Sequence, residues 1–204
     1  PVKPGGIQRD YRDIKAADPS RPVLLNLGQG VAWDGWYGRG VRTEHPEDYA
    51  EYVEGCDIAS FDIYPGCHDH ADVAGKFWVV PFGVQRLRGW VRDKKPVWAC
   101  IETTRISNLS RRATPAQVRS EVWMAIIAGA RGIIYFCHQF APSFIEAGLL
   151  ADPGMAAMVA RTNREIQDLA AVLNSPPLTL TGALSAAPMP GFLMKRHAGY
   201  TYLF

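Results

Sequence analysis

Residues 94–104, Lys94-Lys95-Pro96-Val97-Trp98-Ala99-Cys100-Ile101-Glu102-Thr103-Thr104, read as an apolar strand that stops abruptly on a carboxylate. Strands buried on both faces of a parallel sheet are near-continuous apolar runs. A charge at the carboxyl end of one is therefore either a solvated terminus or a reactive group, because parallel sheets carry their chemistry at that end. Working outward, three further runs have the same texture. Residues 22–27 form an apolar segment closed by Gly28-Gln29-Gly30, residues 56–64 are stopped by Pro65-Gly66, and Gly132 introduces Ile133-Ile134-Tyr135-Phe136-Cys137.

The stretches between these runs carry helical patterns at 7–17, 46–54, 79–93 and 152–174. Thr114-Pro115-Ala116-Gln117 is the clearest helix start, with threonine as N-cap, proline at the first helical position and glutamine at the third. Val118, Val122, Ala125 and Ile126 then form an apolar stripe at helical spacing. Four strands alternating with helices predict an α/β chain of parallel β-α units. After Pro176-Pro177 the texture changes. Leu178-Thr179-Leu180-Thr181-Gly182 and residues 191–204 alternate instead, predicting a short β-rich extension with Tyr200, Tyr202 and Phe204 on one side of a strand.

Composition excludes several classes of function. At 204 residues, 48% hydrophobic and 21% charged, the chain is long and apolar enough for one sizeable core rather than a disordered segment. Its net charge of +2 and lack of any basic run longer than Arg111-Arg112 or Lys94-Lys95 argue against a nucleic-acid partner. No run approaches the roughly 18 to 20 apolar residues of a membrane span. Cys56, Cys67, Cys100 and Cys137 are scattered without Cys-x-x-Cys spacing and read as small apolar residues rather than a disulfide framework or a zinc site. No cofactor and no metal are expected, and the compartment stays open.

The order of elements, a strand ending in Asp62-Ile63-Tyr64-Pro65, then Pro96-Val97-Trp98 through Glu102, then Ile133-Ile134-Tyr135-Phe136, resembles the C-terminal half of a clan A glycoside hydrolase. The similar group is the TIM-barrel β-galactosidases, β-mannanases and cellulases. The resemblance covers about residues 7 to 182 and implies strands five through eight of a (β/α)8 barrel. Residues 1–182 would then be a parallel half-barrel, and residues 183–204 the start of an appended β-rich domain. It further implies a retaining β-glycosidase acting on oligo- or polysaccharides. Glu102 would be the nucleophile and Tyr64 the phenol that orients it by a hydrogen bond. The acid/base glutamate of that clan follows an asparagine at the end of strand four, and no Asn-Glu dipeptide occurs in this sequence.

Further residues fall where a sugar-binding face would be. Trp33, Trp36 and Tyr37 occupy a glycine-rich loop after the first strand, where they would stack on a pyranose or pack on the rim. His138 and Gln139 follow the fourth strand and would point into the same mouth as Glu102, or His138 would simply satisfy neighbouring backbone. Asp62 shares a face with Tyr64. Cys67-His68-Asp69-His70 with Asp72 concentrates metal-ligand types without a distinctive fourth ligand, so it reads as a polar loop over the mouth, from which Asp69 or Asp72 could touch substrate. Glu121, on an outer helix, would cap or pair locally.

Two functions are thus expected. One is a retaining β-glycosidase whose acid/base residue lies outside this chain. The other is a non-catalytic carbohydrate-binding half-barrel. Either would leave two open sheet edges and an uncovered face, predicting self-association or pairing with an N-terminal half-barrel. In a closed pair of copies, His138 of one would approach Glu102 of the other.

Overall fold

The computed structural model describes residues 2–36, 45–178 and 191–204. The chain enters through helix α1 (Pro4–Ala17), whose proline sits in the first turn where no amide hydrogen is needed. Four strands follow: β1 (Leu24–Asn26), β2 (Ile58–Asp62), β3 (Val97–Glu102) and β4 (Gly132–Phe136). They pair in parallel in the order β1-β2-β3-β4. One rung runs Asn26, Ser60, Trp98, Gly132, and the rung two residues on, facing the same side, runs Asp62, Cys100, Ile134. Asp57 anchors the entry. Its carboxylate accepts from the Tyr11 hydroxyl (2.8 Å) and the Val23 amide (2.8 Å) and lies 3.3 Å from Lys15 Nζ, tying α1 to the start of both β1 and β2.

Between the strands lie α2 (Tyr49–Tyr52), α3 (Val79–Trp90) and α4 (Pro115–Ile127), followed by α5 (Pro153–Asp168) and α6 (Ala170–Leu173). The predicted capping box opens α4: Thr114 Oγ1 accepts from the Gln117 amide, and the Thr114 amide donates to Gln117 Oε1. The single helix expected over 152–174 is interrupted at Leu169, whose backbone angles (φ −92°, ψ 3°) leave the helical region. The helix expected over 46–54 is likewise a composite, with a turn of 3-10 helix on each side of α2.

One face of the sheet carries the core. Ala59, Phe61, Val97, Ala99 and Ile101 are buried with Val80, Val84 and Leu87 of α3, Val118, Val122 and Ala125 of α4, and Met155 and Met158 of α5. Gly83 is required here, since a Cβ would stand 2.4 Å from the Phe61 ring. On the opposite face Asp62, Tyr64, Trp98, Cys100, Ile134 and Phe136 are only half-buried. An α/β arrangement with a four-stranded parallel sheet is therefore in place. Among the described residues no helix is long and apolar enough to cross a membrane.

The extension is a two-stranded antiparallel sheet, β5 (Met194–His197) and β6 (Tyr200–Leu203). It turns through Ala198 and Gly199, both at positive φ, as a two-residue hairpin of this twist requires. Phe204 stacks on Trp123 of α4 (5.8 Å, 12°), and Lys195 Nζ donates to the Ser175 carbonyl beyond α6 (2.5 Å). Tyr200 stands exposed, away from this contact. The strand expected from Leu178 onward lies mostly outside the described residues, as does the boundary expected at residue 182.

Among the described residues, β1 and β4 each pair on one side only, and the sheet's second face has no buried core of its own. Such edges and faces favour pairing. Sedimentation at micromolar concentration is expected to give a species larger than a monomer; a clean monomer would contradict the expectation.

Candidate functional site

The carboxyl ends of β1, β2 and β3 feed three loops that converge on one cleft of about 500 Å³. From the first loop come Trp33 and Trp36, from the second Tyr64 and residues 67–70, and from the third residues 106–108. Gly28 makes the first turn possible, with φ at +73°, a value side chains rarely tolerate. Beyond it Val31 and Ala32 are buried, seating the indoles at the rim. Trp33 lies 6.2 Å from Trp36 at 37°, meets His68 edge-on at 5.3 Å and covers His70 at 4.6 Å. Tyr37 lies outside the described residues.

Side-chain hydrogen bonds join these loops to one another. His68 Nε2 is 2.8 Å from Gln29 Oε1, linking the second loop to the first. The His70 backbone amide donates to His68 Nδ1 (3.0 Å), so the ring proton resides on Nε2 and is given to Gln29. Burial lowers the His68 pKa, keeping the ring neutral at neutral pH. Asn108, itself buried, links the third loop to the second: its Nδ2 donates to the Cys67 carbonyl (2.8 Å) and to Asp69 Oδ1 (2.6 Å). Its Oδ1 accepts from the Ser110 and Arg111 amides. Gln29 and Asn108 are not among the residues the sequence singles out, although each stands in a loop that follows a strand of the sheet.

Glu102 is placed differently from the expectation. It is fully buried, and its Oε1 accepts from the Gly66 amide at 2.5 Å while Oε2 has no partner. The Pro65-Gly66-Cys67 turn folds over the strand end and removes it from water. Gly66 alone fits there, because a Cβ would lie 2.5 Å from that of Ala113. Tyr64 does not reach Glu102. Its hydroxyl lies 3.5 Å from Cys100 Sγ, and its ring packs on Phe136 at 5.3 Å. Burial raises the tyrosine pKa, so the phenol stays protonated.

Glu121 also departs from its expected local capping or pairing. It does not cap or pair at the surface: it is wholly buried on the inner side of α4, and neither carboxyl oxygen has a hydrogen-bond partner. Its pKa is raised well above the ordinary value, first by burial and then by the like charge of Glu102. Burial likewise pushes Glu102 up to about 7, against hydrogen bonds from Gly66 and Cys67 that favour its ionised form. The Cys67 thiol, which also lines the cleft, stands beside both carboxyl groups, and their charges raise its pKa further after burial. Such a pair retains a proton that an exposed pair would lose.

The remaining expected contacts turn back on their own loop. His138 Nδ1 is 2.7 Å from the Glu146 carbonyl, and Gln139 pairs with Ile145 and sends its Nε2 to the Ser143 carbonyl (3.4 Å). His138 thus satisfies neighbouring backbone, the alternative the sequence left open. Asp62 sits on the half-buried face of the sheet, accepting from Asn26 Nδ2 at 2.7 Å. Among the described residues, no group of three or more His, Cys, Asp or Glu side chains is arranged to hold a metal ion.

The carboxyl pair sets the pH dependence of stability. Both groups have raised pKa values in the folded chain, whereas unfolding returns them to about 4.5. Above that pH the unfolded state sheds protons that the folded state keeps, so stability is fully present under acid conditions and falls as pH climbs through about 7. Replacing Glu121 by glutamine is expected to stabilise the chain at about pH 8 by about 1–3 kcal/mol and to change little at about pH 5, read by urea unfolding. Equal destabilisation at both pH values would contradict this.

No family model matches this chain, and no curated protein or solved structure is significantly similar to it.

Proposed function

We propose that this chain binds carbohydrate in the cleft beneath Trp33 and Trp36, as the carboxyl-terminal half of a (β/α)8 barrel of the glycoside hydrolase type. The supporting observation is the combination of two tilted indoles with fixed polar groups at the carboxyl end of a parallel sheet. Sugars present an apolar C–H face and a ring of hydroxyls. Aromatic faces take the first, and a few convergent polar groups take the second. Here Asp69 and His70 stand exposed on the cleft, and Asn108 and His68 are locked by bonds to neighbouring loops. A site fixed in advance by such bonds loses little freedom on binding.

Binding, rather than hydrolysis by this chain alone, accounts better for Glu102. A retaining nucleophile must be ionised and must touch the anomeric carbon. Glu102 has no exposure, is bonded to Gly66 and holds its proton up to about pH 7. The retaining glycosidase remains the second reading because Glu102 ends β3 directly behind the cleft wall at Cys67. In that reading the Gly66–Cys67 turn must swing away, and a complementary half-barrel must supply the acid/base carboxylate.

Titration calorimetry with β-linked gluco- and manno-oligosaccharides separates the two. Saturable binding without turnover is expected, weakened about tenfold or more by Trp33→Ala and left unchanged by Glu102→Gln. Hydrolysis of aryl β-glycosides by the chain, lost in Glu102→Gln, would instead restore Glu102 as nucleophile.

A further inference from the structure

We infer that the ligand is a glycan chain rather than a single sugar, and that Phe140 and Phe144 form a second stacking platform beside the cleft; this rests on the carbohydrate reading of the cleft. After β4 the chain makes a short hairpin that holds these two rings in solvent, 50% and 62% exposed. They lie 5.8 Å apart at 33°, and His138 stacks on Phe144 at 6.3 Å and 24°. Phe136 joins Phe140 at 6.2 Å to Tyr64 at 5.3 Å, and Tyr64 is a wall of the cleft. A row of aromatic faces therefore leads from the cleft to the hairpin.

The hairpin is rigid, so the exposure is built in. Gln139 and Ile145 exchange both backbone hydrogen bonds (3.0 and 2.8 Å), and Thr104 Oγ1 donates to the His138 carbonyl at 2.6 Å. Ile106 holds it from the other side. Its carbonyl accepts from the Phe140 amide at 2.7 Å and the Ala141 amide at 3.2 Å. To do so Ile106 sits at φ +54°, a conformation that is strained for a β-branched residue. Ile106 also lines the cleft, so the strained residue is the joint between the two surfaces. Large exposed rings in a fixed geometry, flanked by Gln139, Ser143 and Glu146, suit the repeating apolar faces and hydroxyls of a polymer.

Calorimetry with a disaccharide and a hexasaccharide of one β-linked series tests this, with sedimentation run alongside. The double variant Phe140→Ala/Phe144→Ala is expected to weaken the hexasaccharide about tenfold while leaving the disaccharide unchanged. Phe140→Tyr/Phe144→Tyr, which keeps the faces, is expected to bind both as the parent does. Unchanged hexasaccharide affinity in the alanine variant, or equal loss for both ligands, overturns the platform. A shift in association state without loss of hexasaccharide binding also overturns it and marks the patch as a protein contact. Failure of every oligosaccharide to bind the parent chain overturns the cleft reading itself.

Discussion

The turn Pro65-Gly66-Cys67 is the constraint on which the rest of the site depends. The Gly66 amide bond to Glu102 closes the end of β3, the missing Cβ of Gly66 lets Ala113 approach ahead of α4, and the Cys67 carbonyl receives Asn108. Below it lies a buried carboxyl pair; above it lies the cleft. Because the third loop hangs from the turn through Asn108 and the first through His68 and Gln29, one short segment fixes the relative position of three strand ends. A charged group under such a turn is costly, and the raised pKa values of Glu102 and Glu121 are how the fold accommodates it.

Much of the fold was legible because its signals are local. Apolar runs bounded by Gly and Pro mark all four strands, and the Thr114 capping box marks α4 to the residue. Trp33 and Trp36 were legible as rim aromatics for the same reason: a glycine-rich loop after a strand has one place to go. Glu102 was found but its environment was not. Period-two alternation predicts which side of a strand a residue takes, yet nothing in the 94–104 stretch says that residues 65–67 will fold over its end. Glu121 reads as solvent-facing from its place on an outer helix, whereas it stands one turn from both Val118 and Ala125 on the buried side of α4. Asn108 carries no local signal because its value lies in what it joins, and its partners Cys67 and Asp69 are about forty residues away in the chain.

The functional account follows from the same division of labour. Rigid strand ends hold the polar groups, and aromatic rings on bonded loops supply the apolar faces. Phe140 and Phe144 extend that surface because a strained Ile106 carries the hairpin toward the cleft. The carboxyl pair belongs to the scaffold in this state, which is why the proposed sugar binding and the chemistry of Glu102 separate into distinct questions.

Hydrogen–deuterium exchange with and without a saturating β-linked hexasaccharide tests the central claim most directly, since it reports where the ligand sits without altering a residue. Slowed exchange is expected in the loops after β1, β2 and β3, around residues 28–36, 64–70 and 104–108, and in the hairpin after β4. Unchanged exchange in those loops, or protection confined to other parts of the chain, would contradict it.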